Sequence, residues 1–154
     1  MISIISLDST RLVKKLYRYQ KDDTLFPEKA HMALIDDDPV FQCIMSHQAD
    51  LEHVNLDGLL SFDQRRDAQL LKQADIIILD YELAGTDAPH LIADFQKLAI
   101  GVPILVISHN PRHSASLAQF KNVRAFMPKS AGYAAIFDAA EKICREKVIE
   151  FQEA

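Results

Sequence analysis

Four places in the chain put a reactive group at the end of a short apolar run. Ile76, Ile77, Ile78 and Leu79 lead into Asp80, and Met32, Ala33, Leu34 and Ile35 lead into Asp36, Asp37 and Asp38. Ile104, Leu105, Val106 and Ile107 end on Ser108, and Ala125, Phe126 and Met127 precede Pro128 and Lys129. Short aliphatic runs bounded by polar or loop-forming residues read as strands buried on both faces, so each delivers its polar residue to the edge of a core. If the first and third runs are parallel neighbours, their carboxylates meet at one end of a sheet. Like charges a few ångströms apart raise one another's pKa unless a cation sits among them. The chemistry this implies is the binding of something positive.

The elements that must position these groups alternate. Strand candidates are residues 31–36, 53–59, 75–80, 102–108 and 124–128, each followed by a segment of helical periodicity. Residues 38–49 place Phe41, Ile44, Met45 and Gln48 on one side, with Asp38 as N-cap and Pro39 at the first helical position. Residues 62–73 follow Ser61, with Gln64 as a capping-box partner. Residues 88–99 align Leu91, Ile92, Phe95, Leu98 and Ala99. The segment 112–121 has only Leu117 and Phe120 as large apolar anchors, whereas 131–149 carries a stripe from Tyr133 through Ile136, Phe137, Ala140, Ile143 and Cys144 to Val148. This is a (βα)5 count. It predicts an α/β fold, a doubly wound parallel five-stranded sheet covered on both faces, with its working site at the carboxyl ends of the strands where strand order reverses.

Composition narrows the classes. A chain of 154 residues is one domain by size, and such a domain buries roughly 68–70% of its unfolded surface. Hydrophobic residues at 49% and charged residues at 25% are ordinary globular values, and no apolar run approaches the ~20 residues of a spanning helix. A net charge of −5, from 17 basic and 22 acidic residues, argues against general nucleic-acid binding. With no basic leader at the N-terminus, a cytoplasmic protein is expected. Cys43 and Cys144 read as two buried free thiols, and the six His show no metal-ligand spacing. The charged run Asp63 to Asp67 reads as a solvated helix face. Residues 1–30 form an N-terminal extension. Ile2–Leu7 reads as a strand or an apolar anchor, a helix to Tyr19 aligns Leu12, Val13, Leu16 and Tyr17, and Lys21–Pro27 is a linker.

Two Asp after the first strand, one ending the third, a hydroxyl ending the fourth and a Lys ending the fifth resemble a response-regulator receiver domain of two-component signalling, over residues 31–149 with a 150–154 tail. The resemblance implies a flavodoxin-like strand order 2-1-3-4-5 and Mg2+ as cofactor. It implies Asp80 as phospho-acceptor, with Asp36, Asp37, Asp80 and the backbone carbonyl of Glu82 around the metal. Asp37 would ligate directly and Asp36 mainly through water. Lys129 and Ser108 would bind the phosphoryl group, and Ser108 with Phe126 would act as the switch, although Phe126 fits a packed core position equally well. The implied function is a phosphoprotein switch that takes a phosphoryl group from a histidine kinase or histidine phosphotransfer protein. It would alter protein contacts through the face of the fourth helical segment, fifth strand and last helix, without direct nucleic-acid or membrane binding. The resemblance implies no enzyme activity beyond promoting its own phosphotransfer and dephosphorylation.

Several positions depart from the family pattern. His109 follows Ser108 where a small residue is common, and reads as a semi-exposed loop residue. Ala84 and Ala88 replace a frequent Pro and Gly, Glu82 adds an acid near the site, and Pro128-Lys129 inverts the usual Lys-Pro order. These motivate an alternative, a receiver-like scaffold or dimerisation module that is seldom phosphorylated. An unrelated flavodoxin-like enzyme is disfavoured because no Gly-rich phosphate loop follows the first strand.

Overall fold

A computed structural model describes residues 30–153, with side chains to Glu146. The expected N-terminal strand, helix and linker lie outside the described residues. Five strands, β1 (His31–Ile35), β2 (Asn55–Leu59), β3 (Ile76–Asp80), β4 (Ile104–Ser108) and β5 (Val123–Pro128), form one parallel sheet in the order β2-β1-β3-β4-β5. The helices are α1 (Pro39–Leu51), α2 (Gln64–Gln73), α3 (Ala88–Lys97) and α4 (Tyr133–Glu153), the last running past residue 149. Because β1 lies between β2 and β3, strand order reverses beside its carboxyl end, which opens a crevice there.

Strand alternation divides the core between the two faces. Met32, Leu34, Ile76, Ile78, Leu105 and Ile107 pack against Phe41 and Met45 of α1 and Ile136, Phe137 and Ala140 of α4. Ala33, Ile35, Ile77, Leu79, Ile104 and Val106 meet Leu71 of α2 and Leu91, Ile92 and Phe95 of α3. Burying a Leu, Ile or Phe side chain stabilises by about 1.5–3 kcal/mol, so these two layers dominate the fold and hold the strand ends in place.

Local structure departs from the sequence expectation in four places. First, α2 is capped by Asp63, not Ser61: Asp63 Oδ1 accepts from Arg66 N at 2.9 Å, and Asp67 Oδ2 accepts from Asp63 N at 2.8 Å. Asp67, not Gln64, closes this reciprocal box, and being buried and bonded by Arg66 it is no part of a solvated face. Second, Cys43 is exposed while Cys144 is buried, both as free thiols. Third, Glu82–Leu83 and Thr86–Asp87 pair as a small antiparallel hairpin turning through Gly85 at φ 80°.

The fourth departure bears on function. Where a helix over 112–121 is expected, the chain forms a 3₁₀ helix over Pro111–Leu117. Its hydroxyls bond back to the local backbone, Ser114 Oγ to Pro111 O at 3.1 Å and Ser116 Oγ to His113 O at 2.9 Å. Such bonds compete with α-helical pairing. Leu117 is the one buried side chain of this segment, so little packing energy opposes the tighter turn.

Candidate functional site

The acids at the crevice are set by backbone geometry. Asp36 is fully buried, and its Oδ1 accepts from Asp38 N at 2.9 Å. Asp38 is spent as the N-cap of α1, accepting from Val40 N and Phe41 N at 2.9 and 3.3 Å. Asp37 is exposed, and its Oδ2 accepts from Ala84 N at 2.9 Å, tying the β1 loop to the hairpin after β3. Gln42 of α1 secures the base of this loop. Its Nε2 lies 3.2, 3.1 and 2.9 Å from Leu34 O, Asp36 O and Leu59 O, which share its two hydrogens and brace β1 against the edge strand β2. Gly58 makes room for that amide, because a Cβ there would overlap Gln42 Oε1.

Asp80, at the end of β3, is 5% exposed. Lys129 Nζ lies 3.1 Å from its Oδ2 and 2.7 Å from Asp36 Oδ2, so one ammonium is shared between two buried carboxylates. The contact with Asp80 is an aligned hydrogen bond; the one with Asp36 is a close ion pair, and the buried Asp36 Oδ2 has no donor besides that ammonium. A single positive charge does not satisfy both acids. Burial, and then the neighbouring Asp36 charge, push Asp80 up to about 6, with Asp37 adding to the rise and Lys129 opposing it. For Lys129, burial acts to lower the pKa, but its polar and charge contacts with Asp36 and Asp80 outweigh that and raise it. The Nζ also sits 4.5 Å from the centroid of the Phe41 ring, which stacks at a tilt on Tyr133.

A cation fits here. Asp36, Asp37 and Asp80 each offer an oxygen within 4.8 Å of the others, and the buried Oδ2 of Asp36 has only the shared Lys129 ammonium beside it. Carboxylate oxygens suit hard divalent ions. Four of the residues picked out from the sequence, Asp36, Asp37, Asp80 and Lys129, therefore come together.

The others form no hydrogen bond or ion pair with these four. Ser108 is buried beside β3, but its hydroxyl faces the 3₁₀ segment: Oγ accepts from Asn110 N at 3.0 Å and lies 2.9 Å from His113 Nδ1. Phe126 is half-buried on the α2–α3 side of the sheet. Glu82 is exposed on the hairpin, with Oε1 3.5 Å from His113 Nε2. His109 is exposed and, with Asp38, Phe41 and Tyr133, lines a surface pocket that reaches Lys129. Sequence reading missed His113, whose ring stacks on Tyr81 with centroids 3.8 Å apart and planes at 11°. The available signal was slight: Tyr81 follows the buried acid directly, and His113 follows Ser108 by five.

Many solved structures share this architecture. A response regulator receiver domain protein from Methanospirillum hungatei matches with a TM-score of 0.62 at 15% identity, covering 82% of this chain and 98% of that one. The receiver domain protein from Clostridium thermocellum gives 0.65 at 13% identity, over 78% and 98%. The chain has the response-regulator receiver fold. A third receiver, from Thermotoga maritima and solved in complex with Mg2+ and BeF, gives 0.62 at 15% identity, over 73% and 97% of the two chains. No protein-family model and no curated protein matches the sequence. The receiver fold is thus recognised by shape and strand order, with the acids of β1 and β3 at its switch point. Among the described residues no helix is long and apolar enough to cross a membrane.

Proposed function

We propose that this chain is a phospho-acceptor domain of a two-component system, carrying the phosphoryl group on Asp80. The reading rests on one observation: three carboxylates cluster beside a single buried ammonium at the switch point of a receiver fold. Asp36, Asp37, Asp80 and the carbonyl of Glu82 would hold Mg2+, which when bound supplies neutralising charge to the phosphoryl oxygens. Asp80 carries the nucleophilic oxygen. It attacks the phosphorus of a phosphohistidine on a kinase or phosphotransfer protein, the P–O bond forms as the P–N bond breaks, and the imidazole leaves and is protonated by solvent. Lys129 exchanges its contact with Asp36 for a phosphoryl oxygen, and Ser108 donates to another. Phe126 then responds on the face it shares with Leu117. The exposed Val40 and Ile44 of α1, lining the pocket that reaches Lys129, offer apolar footing to the donor protein. Such exchange belongs in the cytoplasm.

Acetyl phosphate with Mg2+ should add one phosphoryl group to the wild type and none to Asp80→Asn, read by intact-protein mass spectrometry. Equal labelling of the two would overturn the assignment. A second reading, a seldom-phosphorylated scaffold, is favoured by the Ser108 hydroxyl being already committed elsewhere. In that case beryllofluoride with Mg2+ leaves the spectra of the protein unchanged.

A further inference from the structure

Resting on the phospho-acceptor reading, we infer that His113 is a positioning residue that holds the Ser108 hydroxyl away from Asp80, so that His113 and a phosphoryl group compete for one proton donor. Ser108 Oγ has one hydrogen to give. The Glu82 carboxylate faces His113 Nε2 at 3.5 Å and favours the ring proton there, which leaves Nδ1 as the acceptor 2.9 Å from Ser108 Oγ. The alternative acceptor, Asn110 O, is farther at 3.3 Å, and Asn110 N donates to the same oxygen at 3.0 Å. In this arrangement the hydroxyl donates to His113 and accepts from Asn110. It turns to a phosphoryl oxygen only by leaving the imidazole.

The ring is held for this task. It stacks flat on Tyr81, the residue after the acceptor, while Tyr81 Oη and Ser116 Oγ lie 2.8 Å apart and Ser116 Oγ donates to His113 O at 2.9 Å. His113, Tyr81 and Ser116 therefore form one closed ring of interactions between the segment after β3 and the 3₁₀ helix, and the Ser108 hydroxyl of β4 is tied to it through the imidazole. When the Ser108 hydroxyl departs, the 3₁₀ helix gives up its hydrogen-bonded anchor at the end of β4. The helix that lacks packing is thus the element that reports the phosphoryl group, and His113 is its latch.

The test is a titration with beryllofluoride and Mg2+, followed by imidazole nitrogen NMR, of wild type, His113→Ala, His113→Asn, Ser108→Ala and the Ser108→Ala/His113→Ala double variant. Losing one neutral hydrogen bond corresponds to roughly a five-fold change, so His113→Ala should bind beryllofluoride about that much more tightly. The gain should vanish in the Ser108→Ala background, because the two residues act through the same bond. His113→Asn, whose amide oxygen stands near the place of Nδ1, should behave as the wild type. In the wild type the His113 Nδ1 resonance should shift on beryllofluoride addition and on Ser108→Ala, a readout that requires no change at His113. Equal affinity of wild type and His113→Ala, a gain that persists without Ser108, or an unmoved Nδ1 resonance overturns the latch alone. Absence of binding in the wild type and every variant overturns the phospho-acceptor reading, and the latch with it.

Discussion

The two halves of the site are prepared in opposite ways. On the side of β1, β3 and β5, Asp36, Asp80 and Lys129 are buried together, braced by Gln42, and short of one positive charge. On the side of β4, the Ser108 hydroxyl is satisfied and the element above it is a lightly packed 3₁₀ helix. The acid half carries electrostatic cost and the hydroxyl half carries satisfied hydrogen bonds. On the proposed reading, binding and response would thereby be separated in space: charge would decide entry, and the release of one hydroxyl would carry the response.

Removing the shared ammonium should break this contrast most severely. Lys129→Met leaves two buried carboxylates uncompensated, and truncating one member of a buried pair costs about 3–5 kcal/mol. Chemical denaturation in chelator should show a loss of that order, partly recovered with millimolar Mg2+. A loss below about 1 kcal/mol would mean that the acid half is not charge-starved.

The next effect has the opposite sign. Asp80 titrates near 6 in the folded chain against an ordinary value of 3.8, so folding favours its protonated form. That favourable contribution is complete below pH ~4 and is lost as pH rises through about 6. Asp80→Asn removes the charge and should stabilise the metal-free protein above pH 7 by up to about 3 kcal/mol, with the advantage fading to nothing near pH ~4. A pH-independent difference would mean that the gain comes from packing and not from ionisation.

Gly58→Ala probes the brace. The new methyl displaces the Gln42 amide and forfeits its bonds to three carbonyls, for a loss of about 1–3 kcal/mol and weaker Mg2+ binding, measurable by denaturation and calorimetry. Unchanged Mg2+ affinity would show that Asp36 needs no help from Gln42. The smallest effect belongs to the hydroxyl half. Ser116→Ala should cost about 0.5–1.5 kcal/mol and speed amide exchange in Pro111–Leu117 while leaving Mg2+ binding alone. A change in Mg2+ affinity there would join the two halves that the geometry keeps apart.

The contrast also explains what was legible in the sequence. Strands β1, β3 and β4 are written as aliphatic runs, and a run that ends on a charged or hydroxyl residue states where that residue must lie, so the acid half could be read from its letters. Asp38 could be read as a cap for the same local reason. The hydroxyl half depends on side chains that meet only after folding. Nothing in Arg112-His113-Ser114-Ala115-Ser116 announces a 3₁₀ turn, because the deciding bonds from Ser114 and Ser116 to nearby carbonyls compete with a helix the periodicity only weakly supports. The stack of His113 on Tyr81 joins residues 32 apart, and periodicity carries no information about such a pair. Asp63 displaced Ser61 as cap for a similar reason: the choice was made by Asp67 reaching back to the Asp63 amide.

The Gln42 brace has a consequence for how the molecule opens. Edge strands and loop ends are usually the first parts of a domain to exchange their amide hydrogens, each fraying on its own. Here one amide group spans α1, the end of β1 and the end of β2, so none of the three can loosen without releasing the others. The backbone that carries Asp36 therefore loosens together with α1 and the end of β2, whereas Asp80, on β3, is held apart from that brace.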